Sequence, residues 1–297
     1  MRDGGDGGHG GYRELAPAPA LRHHVACYWE RWGAIDHPGD VHRVLPDGCM
    51  DVLFSLGEHA AAPTVVGTMT RAILAGREEG ATMIGVRFRP GEAFAFLDVA
   101  ASDARDAELS VADAGCPDLV TLADALASAR EGAWPRRLDA WLTSRLASSR
   151  PADPRVRRAV SLLVAARGTV RIADVASAAG VGDRRLERAF AERVGIGPKE
   201  LARVLRMQGL VERIDAELAA CSRSRSRTRA APSPPPRIGW ARLAAEAGYA
   251  DQAHLAREVK ALTGVTPTAL ARERTPAERN PAALSESFKA AARAGRM

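Results

Sequence analysis

The sequence divides into two unlike parts: a β-rich, barrel-like N-terminal domain with a helical connector, and an all-α C-terminal half holding two helix-turn-helix units. Three observations predict this. Apolar residues fall in short runs bounded by Gly, Pro and charged residues up to about residue 100, then at three- and four-residue spacing from residue 118 onward. Charge divides likewise: residues 1–150 carry 15 Lys/Arg against 21 Asp/Glu, net −6, and residues 151–297 carry 27 against 15, net +12. Third, the basic half contains one pattern twice.

Residues 1–11, rich in Gly, read as a flexible tail, and residues 12–115 as the β-rich domain. There "VHRVLP" and "CMDVLFSL" flank the turn dipeptide Asp47-Gly48, and "PTVVGT", "RAILA" and "TMIGVRF" continue as short strands. "RPGEAFAFLD" reads as a turn into a short helix. Residues 116–152 form the helical connector, with Leu119, Leu122, Leu126 and then Leu138, Leu142, Leu146 in register. "SSRPADP" at 148–154 breaks the pattern and marks the domain boundary.

Residues 153–275 are helical throughout. A shift of 68 places Ile172 on Trp240, Val175 on Leu243, Ala176 on Ala244, and Gly180 on Gly248. After the turn the shift is 69, and Leu186 falls on Leu255, Arg188 on Arg257, Gly195 on Gly264 and Pro198 on Pro267. Each copy is therefore a short helix, a glycine-centred turn, a second helix and a "GxxP" stop. A long helix at 198–220 joins them, followed by "SRSRSRTRAAPSPPPR" at 222–237, which cannot form a core and reads as a disordered insertion. Residues 276–297 read as a second flexible tail.

The apolar stripe of each second helix must face the core, which turns its polar residues outward. In the first copy these are Arg184, Arg185, Glu187 and Arg188; in the second, Gln252, His254, Arg257 and Lys260. Arg pairs bidentately with guanine and Gln with adenine in the major groove, while Lys suits phosphates.

"RIADVASAAGVGDRRLERAFAERVGIGPKELARVLRMQ" with "WARLAAEAGYADQAHLAREVKALTGVTP" closely resembles the DNA-binding region of the AraC/XylS family of bacterial transcription regulators. "GYxDQxHxxR" and "TGVTP" match the signature of that family's second unit. The resemblance covers about 155–275 and implies two recognition helices in successive major grooves of promoter DNA. By position, base contacts fall on Arg184, Arg185, Glu187 and Arg188, then on Gln252, Ala253, His254, Ala256 and Arg257. Val259 departs from the usual Phe, and the 222–237 insertion lengthens the join between the units.

The front half resembles, more loosely, the poorly characterised N-terminal domain of one subgroup of that family, through "YRELAPAPALRHHVACYW", "RVLPDGCMDVLF", "VVGTMT" and "GVRFRPGEAFAFL". That resemblance implies a sensor or dimerisation domain. The rival reading is a small β-barrel enzyme or metal-binding domain fused to a DNA-targeting module. His23, His24, His37, His42, Cys27 and Cys49 are its candidate ligands, and Asp47 with Asp51 its candidate acid/base pair. Adjacent His23 and His24 point to opposite faces of a strand, however, and Asp47-Gly48 is first of all a turn. Tyr28, Trp29, Trp32 and Phe54 read as aromatic core or as the lining of a pocket.

No run reaches the ~18 apolar residues of a membrane span, and the N-terminus lacks the apolar core of a signal peptide. The four cysteines are scattered, which fits a reduced, cytoplasmic protein. The expected partners are double-stranded promoter DNA, RNA polymerase, a small-molecule effector and a second copy of the chain. The expected activity is regulatory and non-enzymatic, with no cofactor and no metal.

Overall fold

A computed structural model describes residues 11–33, 42–57, 61–75, 82–130, 132–149, 152–227 and 238–275. Among these, strands β1 (Gly11–Leu15), β2 (Val25–Trp32), β3 (His42–Val44), β4 (Met50–Leu56), β5 (Thr64–Val66), β6 (Ile73–Ala75), β7 (Thr82–Phe88) and β8 (Glu108–Ser110) come first. Gly11, assigned to the tail by sequence, opens β1 opposite Trp32. Six strands form one antiparallel sheet in the order β1-β2-β7-β4-β5-β8, and β3 pairs with β6 as a separate ribbon. The six-stranded ladder is open, with β1 and β8 at its edges.

Side chains alternate across this sheet with period two. Tyr28, Val52, Phe54, Ile84 and Val86 enter the main core of the N-terminal domain. The opposite face carries Trp29, Asp51, Leu53, Met83 and Arg87, and the β3–β6 ribbon lies across it.

Helices α1 (Asp118–Ala127) and α2 (Trp134–Ala147) occupy the segment expected to connect the halves. Their Leu119, Leu122, Leu126, Leu138 and Leu142 are buried in the core of the sheet. The Tyr28 hydroxyl donates to Asp139 at 2.8 Å and the Trp141 indole to Asp118 at 2.7 Å. The connector is thus an integral layer of the first domain, because an amphipathic helix buries its apolar stripe on the nearest apolar face.

The helical half comprises α3 (Pro154–Ala165), α4 (Ile172–Ala178), α5 (Asp183–Val194), α6 (Pro198–Arg227), α7 (Trp240–Glu246), α8 (Gln252–Thr263) and α9 (Pro267–Glu273). Asp153 caps α3, accepting from the Arg155 amide at 2.9 Å within the predicted boundary segment. The pair of helices expected after residue 240 is a trio, since Thr266 caps a separate α9 behind Gly264.

Helix α6 corrects a second expectation. It runs to Arg227, six residues into the segment read as a disordered insertion. Arg is a good helix former, and extending an existing helix needs no new nucleus. The remaining insertion residues, 228–237, lie outside the described residues, as do the tails at 1–10 and 276–297.

Candidate nucleic-acid interface

Helices α4 and α5 form the first unit, and α7 and α8 the second. Gly180 and Gly248 sit at matching places with φ of 66° and 76°, a region that L side chains rarely enter. The second helix of each unit ends alike, on Gly195 at φ 87° and Gly264 at φ 78°. The repeat seen in sequence is therefore a repeat of backbone conformation.

Leu186, Phe190 and Val194 of α5 and Leu255, Val259 and Leu262 of α8 are buried in one core that spans both units and α6. Val259, smaller than the Phe of the resembled pattern, is fully enclosed there. Polar bonds fasten the second unit to the long helix. Arg203 of α6 donates to Glu258 of α8 at 2.7 Å, and Arg213 to the Glu246 carbonyl at 3.0 Å. Arg242 pairs with Glu217, and Arg274 with Asp215 at 2.7 Å. The two units are one body, whatever the length of the insertion between them.

Arg184, Arg185, Glu187 and Arg188 are exposed on α5, and Gln252, Ala253, Arg257 and Lys260 on α8. The side chains of Arg184, Arg185, Arg188, Arg257 and Lys260 have no hydrogen-bonding or ion-pair partner among the described residues. Several arginines elsewhere are tied down, Arg43, Arg87, Arg145, Arg157, Arg203 and Arg274 each meeting a carboxylate, while the exposed Arg136, Arg137, Arg155 and Arg272 meet none among the described residues. Both faces accordingly present unneutralised donors to solvent.

Three site residues differ from the rest. The Glu187 carboxylate bends back to Gly197, where an added Cβ would stand 2.7 Å from it. Ala256 is half-buried. His254 is half-buried as well: its Nδ1 accepts from the Ala250 amide at 3.2 Å, and its ring stands edge-on to Tyr249 at 5.5 Å. Its backbone amide donates to Asp251, the cap of α8, at 2.6 Å. His254 therefore braces the turn with one ring nitrogen and leaves only the other for a ligand. Burial pushes the Tyr249 phenol up to about 12, so it stays protonated over the Arg206 guanidinium.

The sequence carried no signal for what holds the far ends of these helices. Residues from the sheet domain donate to the last carbonyls of both, groups that a helix leaves unpaired. Ala101 N–H meets the Glu192 carbonyl at 2.8 Å, and the Thr68 hydroxyl meets that of Val194 at 2.6 Å. Ala72 N–H meets the Leu262 carbonyl at 2.7 Å, and the Arg43 guanidinium that of Thr263 at 2.9 Å. Gln208 donates to the Pro46 carbonyl at 2.7 Å, and Leu45 is buried in the helical core. The approach at Gly195 is so close that a Cβ there would lie 2.8 Å from the Ala101 carbonyl oxygen.

A buried carboxylate makes a further joint. Glu92 accepts from His24 at 2.8 Å and from Arg157 of α3 at 2.9 Å. Burial alone would raise its pKa, but the bonds from His24 and Arg157 outweigh this and hold it below the ordinary value.

Residues proposed as metal ligands or acid/base groups have other employment. His24 belongs to the Glu92 joint, His42 lies against Arg31, and Cys27 and Cys49 are buried. Among the described residues no three His, Cys, Asp or Glu gather as a metal site; His37 lies outside them. Asp47 accepts from the Cys49 amide as a turn former, and both Asp47 and Asp51 pair with Arg87. Among the described residues no helix is long and apolar enough to cross a membrane.

Residues 13–110 match the family model described as "Domain of unknown function (DUF6597)". The match falls within residues 12–115, the segment read from sequence as a poorly characterised front domain. Comparison with curated proteins gives no match. Among solved structures the chain is similar to ToxT of Vibrio cholerae. The apo form of a strain SCE256 variant aligns over 92% of this chain and 100% of its own, at 11% identity and a TM-score of 0.40. The strain O395 protein aligns over 91% and 98%, at 9% identity and 0.40. Wild-type ToxT with bound unsaturated fatty acid aligns over 93% and 99%, at 9% identity and 0.41. Superpositions this loose carry no function from one protein to the other.

Proposed function

We propose that this chain is a sequence-specific, DNA-binding transcription regulator of AraC/XylS type, whose two helix-turn-helix units enter successive major grooves and whose front domain modulates them. One observation carries the reading: two conformationally matched units in a single core, each exposing an arginine-bearing helix face without internal partners. Unneutralised guanidinium groups on a helix are what base edges and phosphates accept. Arg184, Arg185 and Arg188 read bases for the first unit, and Gln252 and Arg257 for the second. Ala253 and Ala256 offer apolar contact to a thymine methyl, Lys260 serves phosphate, and Glu187 orients its neighbours. His254 positions Gln252 by bracing the turn. Promoter DNA is the primary partner; RNA polymerase, a small effector and a second copy of the chain are the further ones.

The test is retardation of DNA from upstream of its own gene by the full chain across a salt series. A phosphate-neutralising interface loses affinity along a line in log salt. Absence of binding, or binding indifferent to salt, defeats the proposal.

A further inference from the structure

Among the described residues the short β3–β6 ribbon lies across the second face of the six-stranded sheet, and the space between them is hollow. An inner lobe of about 140 Å3 lies among Tyr12, Trp29, Leu53, Met69, Met83 and the ribbon. A second lobe of about 440 Å3 shares Arg31, Leu53, Val66, Met69 and Met83 with it and is also lined by Arg71 and Asp106. The floor is aromatic. Trp29 stands opposite Gly85 on β7, and a Cβ on Gly85 would fall 2.1 Å from its indole, so the indole lies flat on the strand. Tyr12 extends this plate, stacked at 6.2 Å and 29°. Met69 and Met83 supply flexible, polarizable walls that adapt to a ring. Polar groups flank this plate at both ends: Arg31, opposite Met83, lies 3.0 Å from His42, and four residues along β7 Arg87 is already bound to Asp51.

The roof is also the part of the domain that grips the second unit. Val44, Ile73 and Ala75 of the ribbon line the cavity. Ala72, one residue before β6, donates to the last turn of α8, and Arg43 of β3 binds the Thr263 carbonyl and Glu273. The first unit is held instead through Thr68 and Ala101, which do not line the cavity.

We infer that this cavity binds a small, flat, mainly apolar ring compound with one polar group, and that its occupancy is passed through the ribbon to the second helix-turn-helix unit in preference to the first. Size supports a ring, since an apolar cavity of about 150 Å3 accepts a benzene-sized molecule. An aromatic plate favours stacking over an open chain. The polar group lies at the Arg31–His42 side. The consequence for DNA rests on the proposed function, but ligand binding and its passage to α8 do not.

The test therefore uses the full chain without DNA. Naphthol, octanol and glucose are titrated by calorimetry, and amide hydrogen exchange is followed with and without naphthol. Naphthol is expected to bind one equivalent at least about five-fold tighter than octanol, with glucose inert. Exchange should slow in 42–44 and 73–75 and in 260–273, with residues 183–194 unchanged. Met83→Trp, which fills the inner lobe, should lose naphthol binding; should it fail to fold, the exchange map of the native chain still locates the ligand. No naphthol binding, equal binding of octanol, protection away from the ribbon, or equal change in both units overturns the inference. If these results hold while DNA retardation fails, the site stands and the DNA reading falls.

Discussion

The Ala72 amide and the Leu262 carbonyl meet at 2.7 Å, joining the loop before a strand of one domain to the last turn of α8 in the other. A matching bond joins Ala101 to Glu192 in the first unit. Each helix is thus held at the end away from its exposed N-terminal face. The front domain does not cover the residues proposed to read DNA; it fixes the angle at which they are presented.

Because the halves share these bonds and Leu45 lies in the helical core, they should unfold together. Scanning calorimetry of the full chain is expected to show one cooperative transition. Two well-separated transitions would mean that the joints between the domains contribute little.

Arg188→Ala and Arg257→Ala should each weaken binding to a selected DNA site by about 1–3 kcal/mol and relax preference at one base position. Arg137→Ala, an exposed arginine on α2, is the control and should change affinity little. Equal effects of all three in quantitative retardation assays would show that these helices do not read bases.

Asp251→Ala removes the cap of α8, whose carboxylate accepts from His254. Stability should drop by about 0.5–2 kcal/mol in urea unfolding, with the slope unchanged. Asp251→Asn, which retains an acceptor, should recover most of the loss. Failure of Asn to do so would rule out capping as the role of this side chain.

Glu92 gives the domain joint a pH dependence with a fixed sign. A carboxylate whose folded pKa is depressed contributes stability fully above its ordinary value of 4.5, and loses that contribution as pH falls through the lower folded value. Glu92→Gln should be less stable than the native chain at neutral pH, and the gap should narrow as pH falls below about 4.5. A gap constant from pH 7 to pH 3 contradicts the joint.

The helical half was readable because its information is local. The stripe Leu186, Phe190, Val194 and its counterpart Leu255, Val259, Leu262 announce themselves by spacing, and Gly195 and Gly264 by their places in the repeat. The strands were readable too, but not their order, since pairing β2 with β7 brings together residues 52 or more apart in the chain. The surface on which α1 and α2 pack was hidden for a similar reason. Their leucines declare an amphipathic helix without saying which surface they cover. Nothing in the sequence shows that one ring nitrogen of His254 accepts from Ala250, leaving only the other for a base. The contacts at the helix ends were beyond reach, since all end on backbone carbonyls and two of the four begin on backbone amides, groups that carry no mark in the sequence.

Leu45 bears on how such proteins could be recombined. The segment 148–154 looks like a natural crossover point, where one front half might be exchanged for another. Yet the helical half keeps a socket that Leu45 fills, and the loop after it brings Gly48 so near Leu201 that a Cβ would lie 2.5 Å from that side chain. A foreign front half lacking this leucine and glycine would leave the socket open to water, or collide with α6. Successful chimeras should therefore be those that carry residues 45–48 across with the helical half's native partner, and inheritance of the two halves should be linked through that short loop.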